Sequence, residues 1–393
     1  MNLRLHPLLL LPLISVGIAR AADEPPPACT IDRARAADGR FDFRMERSPT
    51  DGRVAVPTGF PQVIRATLAT AEGPRDLPVE ISADAASVAL LVPQDETGRG
   101  PIAVETADET RQFDDGRIVF TALDARVTGD RARLESQPGT ARIGFWTQAS
   151  DSVAWTRKAT RWGMYDVRLT YSNASPPGTE IAVDVSGTTL SGTLASTGSW
   201  YRYATLPLGR VYLPTAGEQT VAVRCTKLVG GAVMNLKAVT LEPACEGTPP
   251  VQDDDGSITL HGRDATVLGT ALRYEPAEKK QTLGYWTRST DAATWTFTVR
   301  RPGAFDVEVL QGCGTGHGGS EMLVELDGGA AAAPAPLTFT VEDTGGFQAF
   351  KPRTIGRVQV STPGTHRLRI APQKIAKAAA CDIRQVRLIP VAP

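Results

Sequence analysis

Apolar and polar residues alternate along much of the chain with the period of a β-strand. Ala293, Trp295, Phe297 and Val299 are separated by threonines, so one face of this segment is apolar and the other is hydroxylated. Successive side chains of a strand point to opposite faces of a sheet, and such alternation is typical of strands with one buried face. No long apolar stripe follows the 3.6-residue period of a helix. The pattern predicts an all-β protein.

One stretch of this pattern occurs twice, 140 residues apart. Asp115–Thr156 and Asp255–Thr296 align without a gap, and 15 of the 42 positions are identical, including four of the six tryptophans. A register shared over this length indicates a duplicated domain. About eight strands in each copy of roughly 130 residues predict a two-sheet sandwich.

The chain divides into six predicted segments. They are a signal peptide at 1–21, a Pro/Ala-rich linker at 22–40, a small β-domain at 41–112, a first repeat at 113–245, a second linker at 246–254 and a second repeat at 255–393. The signal peptide is predicted from a short basic start, an apolar run and a small-x-small cleavage site at Ala19–Ala21. We therefore expect a secreted or periplasmic protein that has no membrane association after signal cleavage.

The net charge argues against nucleic acid as a partner. Removing residues 1–21 takes away Arg4 and Arg20 and no acids, so the formal charge changes from 42 − 43 = −1 to 40 − 43 = −3. A near-neutral chain has no surplus of basic residues for a polyanion. We expect no nucleic-acid partner.

The segment 41–112 has short strand-like runs divided by Gly, Pro and Asp. The predicted strands are Val54–Val56, Val63–Leu68, Val79–Ile81, Val88–Val92 and Ile102–Val104. The pattern resembles the small β-domain that closes the catalytic barrel of α-L-fucosidases, although no such barrel accompanies it in this sequence. This resemblance implies a small N-terminal β-sandwich.

Both repeats carry a series of motifs in the same order. A Gly-aromatic-Trp sequence is followed by Asp-x-x-x-Trp, Gly-x-aromatic-Asp-Val, Thr-Gly-x-aromatic, and an Asn or Asp before the last strand. This order resembles carbohydrate-binding modules of families 6 and 35, which are jelly rolls of the galactose-binding-like type. The resemblance implies two tandem jelly-roll β-sandwiches whose partner is a polysaccharide or glycan.

The same resemblance implies a sugar site in the loops at one end of each sandwich. In the family, aromatic rings stack on the sugar and a polar side chain near the last strand forms a hydrogen bond with it. The candidates in the first repeat are Phe145 or Trp146, Trp200 and Asn235. The candidates in the second repeat are Tyr285 or Trp286, Phe347 and Asp382.

Each candidate also has a purely structural alternative. The aromatic candidates can equally belong to the cores, and Asn235 and Asp382 can cap a turn before a strand. Trp155 and Trp295 lie on the apolar faces of alternating runs, so we expect them in the cores.

The family's structural calcium is not expected here. Its oxygen ligands come from a Glu-x-Glu sequence in the first strand, where this chain has Thr121 and Leu123, and in the second repeat His261 and Arg263. Histidine and arginine do not supply the oxygen ligands that calcium requires. We expect neither a metal nor another cofactor.

The chain has five cysteines, and export would make disulfides possible. Within the second repeat, we expect Cys313 to pair with Cys381. The odd count leaves at least one cysteine without a partner in the chain.

The sequence offers no catalytic constellation. The glycine-rich segment 312–319 lacks the Lys-Ser/Thr ending of a phosphate-binding loop, and it contains a lone His317. Asp151 and Asp291 recur, but duplication alone explains that. We therefore expect a non-catalytic carbohydrate-binding protein, accessory to a secreted glycoside hydrolase or sulfatase. The alternatives are a structural or adaptor protein that docks onto other secreted or cell-surface proteins, and a degenerate fucosidase-like accessory region.

Overall fold

The computed structural model describes residues 29–31, 40–45, 52–56, 63–70, 73–81, 88–93, 102–106, 110–135, 141–327 and 334–391. Regular structure in these ranges is almost entirely β-strand, with two one-turn 3-10 helices at Ala122–Asp124 and Gly262–Asp264, which confirms the all-β class. None of the helices in these ranges is long and apolar enough to cross a membrane. The predicted signal peptide and most of the predicted linker at 22–40 lie outside the described residues.

The described part of the N-terminal region forms eight strands. They are β1 (Cys29–Ile31), β2 (Arg40–Met45), β3 (Arg53–Val56), β4 (Val63–Thr70), β5 (Gly73–Asp76), β6 (Val79–Ile81), β7 (Val88–Leu91) and β8 (Ile102–Thr106). One sheet has the order β1-β2-β8-β4-β5. All five strands predicted in this region are present, and β1 falls inside the predicted linker. The resemblance to the α-L-fucosidase domain stays a prediction.

The first repeat is a sandwich of two antiparallel sheets. Its strands are β9 (Arg111–Gln112), β10 (Ile118–Thr121), β11 (Arg126–Thr128), β12 (Arg133–Glu135), β13 (Arg142–Gly144), β14 (Ser152–Ala159), β15 (Gly163–Ser172), β16 (Thr179–Val185), β17 (Thr188–Leu194), β18 (Arg202–Leu213), β19 (Gly217–Lys227) and β20 (Asn235–Pro243). One sheet has the order β12-β13-β20-β15-β18, with β10 beside β20, and the other has the order β11-β14-β19-β16-β17.

The second repeat has the same topology. Its strands are β21 (Ile258–His261), β22 (Thr266–Leu268), β23 (Arg273–Glu275), β24 (Thr282–Gly284), β25 (Ala292–Val299), β26 (Gly303–Cys313), β27 (Glu321–Leu326), β28 (Leu337–Thr340), β29 (Gly346–Val360), β30 (Gly364–Lys374) and β31 (Asp382–Pro390). The sheets have the orders β23-β24-β31-β26-β29, with β21 beside β31, and β22-β25-β30-β27-β28. The equivalent strand orders confirm the duplication that the sequence predicts.

Each sandwich has its own apolar core between the sheets, and the expected tryptophans are part of it. Trp155 and Trp295 are buried, as predicted. The indole N–H of Trp155 donates to the carbonyl oxygen of Thr121 at 2.8 Å, and that of Trp295 donates to the carbonyl of His261 at 2.7 Å. Burial of the ring without loss of its hydrogen bond explains why both positions are tryptophan.

The N-terminal region is continuous with the first repeat. β6 pairs with β18, so that β6, β7 and β3 extend the sheet of the first repeat. An ion-pair network crosses the same boundary: Arg65 and Arg168 each contact both Asp76 and Glu242. All four side chains are partly buried, which makes the network less screened by solvent than a surface pair.

The two repeats are also in direct contact. The guanidinium of Arg161 is buried and donates to the carbonyl oxygens of Val267 and Gly269, each at 2.9 Å. The indole N–H of Trp162 donates to the carbonyl of Tyr274 at 3.0 Å. The segment 246–254, which the sequence predicts as a linker, packs on the second repeat, because Gln252 is buried and donates to Gly256 and Arg301.

The predicted disulfide between Cys313 and Cys381 is wrong for this structure. Both cysteines are buried free thiols, as are Cys225 and Cys245. The Cys313 sulfur lies 3.8 Å from the carbonyl oxygen of Gly314 and 3.9 Å from that of Ala380, distances at which a thiol can act as a weak donor. Burial raises the pKa of both thiols, which keeps them protonated and unreactive.

Candidate functional site

A cleft of about 280 Å³ opens at one end of the first repeat. It is lined by all the candidates that the sequence names in this repeat, namely Phe145, Trp146, Trp200 and Asn235. Glu135, Arg142 and Tyr201 line it as well, and the sequence motifs do not indicate them. The cleft therefore combines aromatic rings with groups that can donate and accept hydrogen bonds.

Phe145 is the most exposed aromatic residue of the cleft. Its side chain is 51% exposed, and its backbone has a φ of +53°, a left-handed conformation that is uncommon for a residue other than glycine. The counterpart Tyr285 is 46% exposed with a φ of +62°. Strained residues of this kind cluster at functional sites. The structure thus identifies Phe145 and Tyr285 as the exposed member of each aromatic pair.

Trp146 and Trp286 have their rings in the cores, and this corrects the alternative in which they stack on a sugar. Both are 0% exposed, and the indole of Trp286 donates to the carbonyl oxygen of Asp291 at 3.0 Å. The left-handed turn at the preceding residue directs one ring of each pair outward and the next one inward. A sugar cannot stack on a ring that has no accessible face.

Asn235 and Trp200 are joined by a hydrogen bond at the side of the cleft. The Asn235 amide donates to the backbone carbonyl of Trp200 at 2.9 Å, and the Trp200 side chain is partly exposed. Asn235 thus holds the loop before β18 in place, and its amide oxygen lies close to Gly144. This hydrogen bond supports the structural interpretation of Asn235, and its place in the lining of the cleft leaves the ligand-binding interpretation open.

Glu135 and Arg142 form the charged part of the cleft. Their side chains pair at 2.8 Å across β12 and β13, and the Arg142 guanidinium lies 5.3 Å from the ring centre of Tyr201. Gly144 makes room for this arrangement, because a Cβ atom there would lie 2.2 Å from the Glu135 carboxylate. Glu135 and Gly144 recur as Glu275 and Gly284, so the alignment of the two repeats contained a signal for them.

A lysine lies beneath the charged wall. Lys237 on β20 is fully buried, with its ammonium 4.7 Å from the ring centre of Tyr203 and no hydrogen-bond partner among the described residues. Burial, together with the charge of Arg142, lowers the pKa of Lys237 to about 7. Lys237 is not accessible to a ligand, but it adds positive potential below Arg142 when it is protonated.

In the second repeat, the exposed ring takes part in the contact between the repeats. Tyr285 meets the edge of Trp162 from the first repeat, with 5.7 Å between the ring centres. The guanidinium of Arg273 lies 4.1 Å from the Tyr285 ring centre and 4.4 Å from that of Trp162. In the first repeat, by contrast, Arg133 covers only one face of Phe145, at 3.7 Å. Of the two exposed rings, Phe145 is the one without an aromatic neighbour from the other repeat.

The other two candidates of the second repeat are also engaged within the chain. Phe347 is partly buried against the edge of His317, with 5.4 Å between the ring centres. Asp382 is buried, and Gln348 donates to its carboxylate at 3.4 Å. Burial and the nearby charge of Glu275 raise the pKa of Asp382 to about 7, although Lys280, which pairs with Glu275, opposes this shift.

The described residues contain no group of three His, Cys, Asp or Glu side chains that could hold a metal ion. At the family's calcium position, Thr121 is buried and donates its backbone N–H to the Thr110 hydroxyl at 3.0 Å. His261 and Arg263 line a separate cleft in the second repeat.

No family model and no curated protein matches the chain. Similar solved structures include a family 35 carbohydrate-binding module from Clostridium thermocellum, which is 19% identical with a TM-score of 0.28 over 32% of this chain and 96% of that module. A family 35 module from Cellvibrio japonicus Abf62 is 19% identical, with a TM-score of 0.27 over 32% of this chain and 91% of the module. A Paenibacillus xanthan lyase is 14% identical, with a TM-score of 0.30 over 90% of this chain and 34% of the enzyme. Family 35 is one of the two families that the sequence motifs resemble.

Proposed function

We propose that this chain is an exported, non-catalytic carbohydrate-binding protein that binds a polysaccharide or glycan in the cleft of the first repeat. The observation that carries the proposal is the exposed, conformationally strained Phe145 beside Trp200, with Glu135, Arg142 and Asn235 in the same cleft. The axial C–H groups of a sugar ring pack on an aromatic face, and its hydroxyls need fixed polar partners. The cleft offers both.

The proposed binding mode places one sugar ring on Phe145 or Trp200. The charged pair of Glu135 and Arg142 is pre-formed, so it can accept from one hydroxyl and donate to another without rearrangement of the chain. The export prediction and this cleft together favour an accessory role beside a secreted glycoside hydrolase or sulfatase, with the protein holding the polymer while the partner enzyme acts on it.

A screen of polysaccharides by affinity electrophoresis, followed by calorimetric titration, tests the proposal. We expect Phe145→Ala and Trp200→Ala each to weaken binding by about tenfold or more, because each removes a stacking surface. Tyr212→Ala is the matched control, since Tyr212 is an exposed aromatic residue of the same repeat outside the cleft, and it should bind as the wild type does. Full binding by the double Phe145→Ala, Trp200→Ala variant would refute the assignment of this cleft.

A further inference from the structure

A second cleft, of about 280 Å³, lies in the second repeat, and Tyr285 is not among its lining residues. It is lined by His261, Arg263, Tyr274, Gln281, Arg384 and Gln385. Each of these six side chains carries a group that can donate a hydrogen bond, and none of them is a carboxylate. A site made of donors on every side is suited to an acceptor with several oxygens.

Arg384 is held rigidly at this cleft. Its Nε and Nη2 donate to the carbonyl oxygens of Lys280 and Lys279 at 3.0 and 2.7 Å, and its guanidinium lies 4.0 Å from the ring centre of Phe350. None of the ion pairs among the described residues includes Arg384. A guanidinium fixed in this way loses little conformational freedom when it binds a planar or tetrahedral anion.

The nearby acids do not neutralise Arg384. Asp264 is buried and pairs with Arg263 at 3.5 Å. Glu246 acts electrostatically on Tyr274, but no ion pair joins it to Arg384 among the described residues. Arg384 therefore keeps a positive charge that no carboxylate contacts.

Two features distinguish this cleft: the backbone conformation of one lining residue, and the different residues at the equivalent positions of the first repeat. Gln281, which lines the cleft, has a φ of +43°, a strained conformation. The equivalent positions of the first repeat are Thr121, Leu123, Leu134, Ala141, Lys237 and Ala238. Four of these are apolar residues where the second repeat has Arg, Tyr or Gln, and Lys237 is buried against Tyr203. Duplication of the fold does not account for the donor-lined cleft, since only the second repeat has it.

We propose that the cleft of the second repeat binds an oxyanion, a sulfate or carboxylate group, with Arg384 and Arg263 as its principal donors. The source of this group is a charged substituent on a polysaccharide. The oxyanion site and the sugar-binding cleft lie in different repeats, so the Phe145→Ala variant distinguishes the two proposals. It should lose sugar binding and keep oxyanion binding.

Calorimetric titration with sodium sulfate, at constant ionic strength adjusted with sodium chloride, tests the site itself. Titration with dextran sulfate and with neutral dextran tests whether the group is bound on a polymer. We expect Arg263→Gln and Arg384→Gln each to weaken sulfate and dextran sulfate binding by about tenfold, because each removes a charge-assisted hydrogen bond. Arg357→Gln is the matched control, an exposed arginine of the same repeat outside the cleft, and should bind both as the wild type does.

Two results would overturn the proposal. One is the absence of sulfate and dextran sulfate binding by the wild type, and the other is binding that Arg263→Gln and Arg384→Gln leave unchanged. Binding of free sulfate without dextran sulfate would retain the site and refute a polymer as its source. If Arg384→Gln fails to fold, Arg263→Gln still decides the question, since the Arg263 side chain is 63% exposed.

Discussion

Asp382 occupies in the second repeat the position of Asn235 in the first, and the exchange of an amide for a carboxyl changes what this position does. Asn235 is neutral and ties the Trp200 loop by donating to it. Asp382 is a buried acid beside a second buried acid, Glu275, and both approach the same glycine, since a Cβ on Gly284 would lie 2.2 Å from Glu275 and 3.2 Å from Asp382. The nearby charge of Glu275 disfavours the ionised form of Asp382.

This pair predicts a pH dependence of stability. The folded chain raises the pKa of Asp382 from its ordinary 3.8 to about 7, through burial and then through Glu275. The folded state therefore binds a proton that the unfolded state releases, so the contribution to stability is complete below about pH 4 and is lost as the pH rises through about 7. The lost stability is on the order of a few kcal/mol.

Asp382→Asn should remove this contribution. Urea unfolding at pH 5 and at pH 8 should show that the variant loses less stability over this interval than the wild type does, and at pH 8 it should be the more stable of the two. Asp306→Asn is the control, because Asp306 is an exposed acid of the same repeat. An identical pH dependence in wild type and Asp382→Asn would contradict the role given to the carboxyl pair.

At the scale of elements, each sandwich fixes the strand-connecting segment before β12 or β23 with one buried aspartate. The Asp151 carboxylate accepts backbone N–H groups of Asp130, Arg131 and Ala132 at 2.7–3.2 Å. Asp291 accepts those of Thr270, Ala271 and Leu272 at 2.7–3.3 Å. The recurrence of these acids in both repeats therefore follows from the fold and needs no catalytic role.

Asp291→Ala should destabilise the second repeat by about 2 kcal/mol or more, because three partly or fully buried N–H groups lose their acceptor. Thermal unfolding followed by tryptophan fluorescence measures this effect. Asp184→Ala removes a surface acid that pairs with Arg224 and should change the midpoint little. A midpoint for Asp291→Ala equal to that of Asp184→Ala would show that the aspartate does not hold this segment.

The strands and their duplication could be predicted from the sequence, because a period of two records which face of a strand is buried. The site could be predicted only in part. Phe145 and Trp146 are adjacent in an irregular turn, where no period distinguishes the outward ring from the inward one. Arg142 and Tyr201 are far apart in the chain, and their meeting depends on strand pairing that no local pattern encodes.

At the scale of the whole molecule, Arg161 and Trp162 fix one repeat on the other through contacts that the sequence alone did not predict. At the equivalent turn the second repeat has Arg301-Pro302. The alignment of the two repeats therefore gives no reason to assign Arg161 and Trp162 a role between domains. With the repeats held together, the aromatic cleft of the first repeat and the donor-lined cleft of the second repeat lie at a fixed separation. Two sites on a rigid body can bind one polymer strongly only where the spacing of its groups matches theirs.

Arg161→Ala should release the repeats from each other. The substitution leaves the carbonyl oxygens of Val267 and Gly269 without their charged donor, a loss of about 2–4 kcal/mol at the boundary. Scanning calorimetry should then resolve separate transitions for the repeats, and small-angle X-ray scattering should show a larger radius of gyration. Arg301→Ala is the matched control, because Arg301 donates to Asp253 and Asp254 within its own part of the chain. A single transition and an unchanged radius in Arg161→Ala would mean that this contact does not couple the repeats, and the two clefts would then act with the freedom of independently tethered modules.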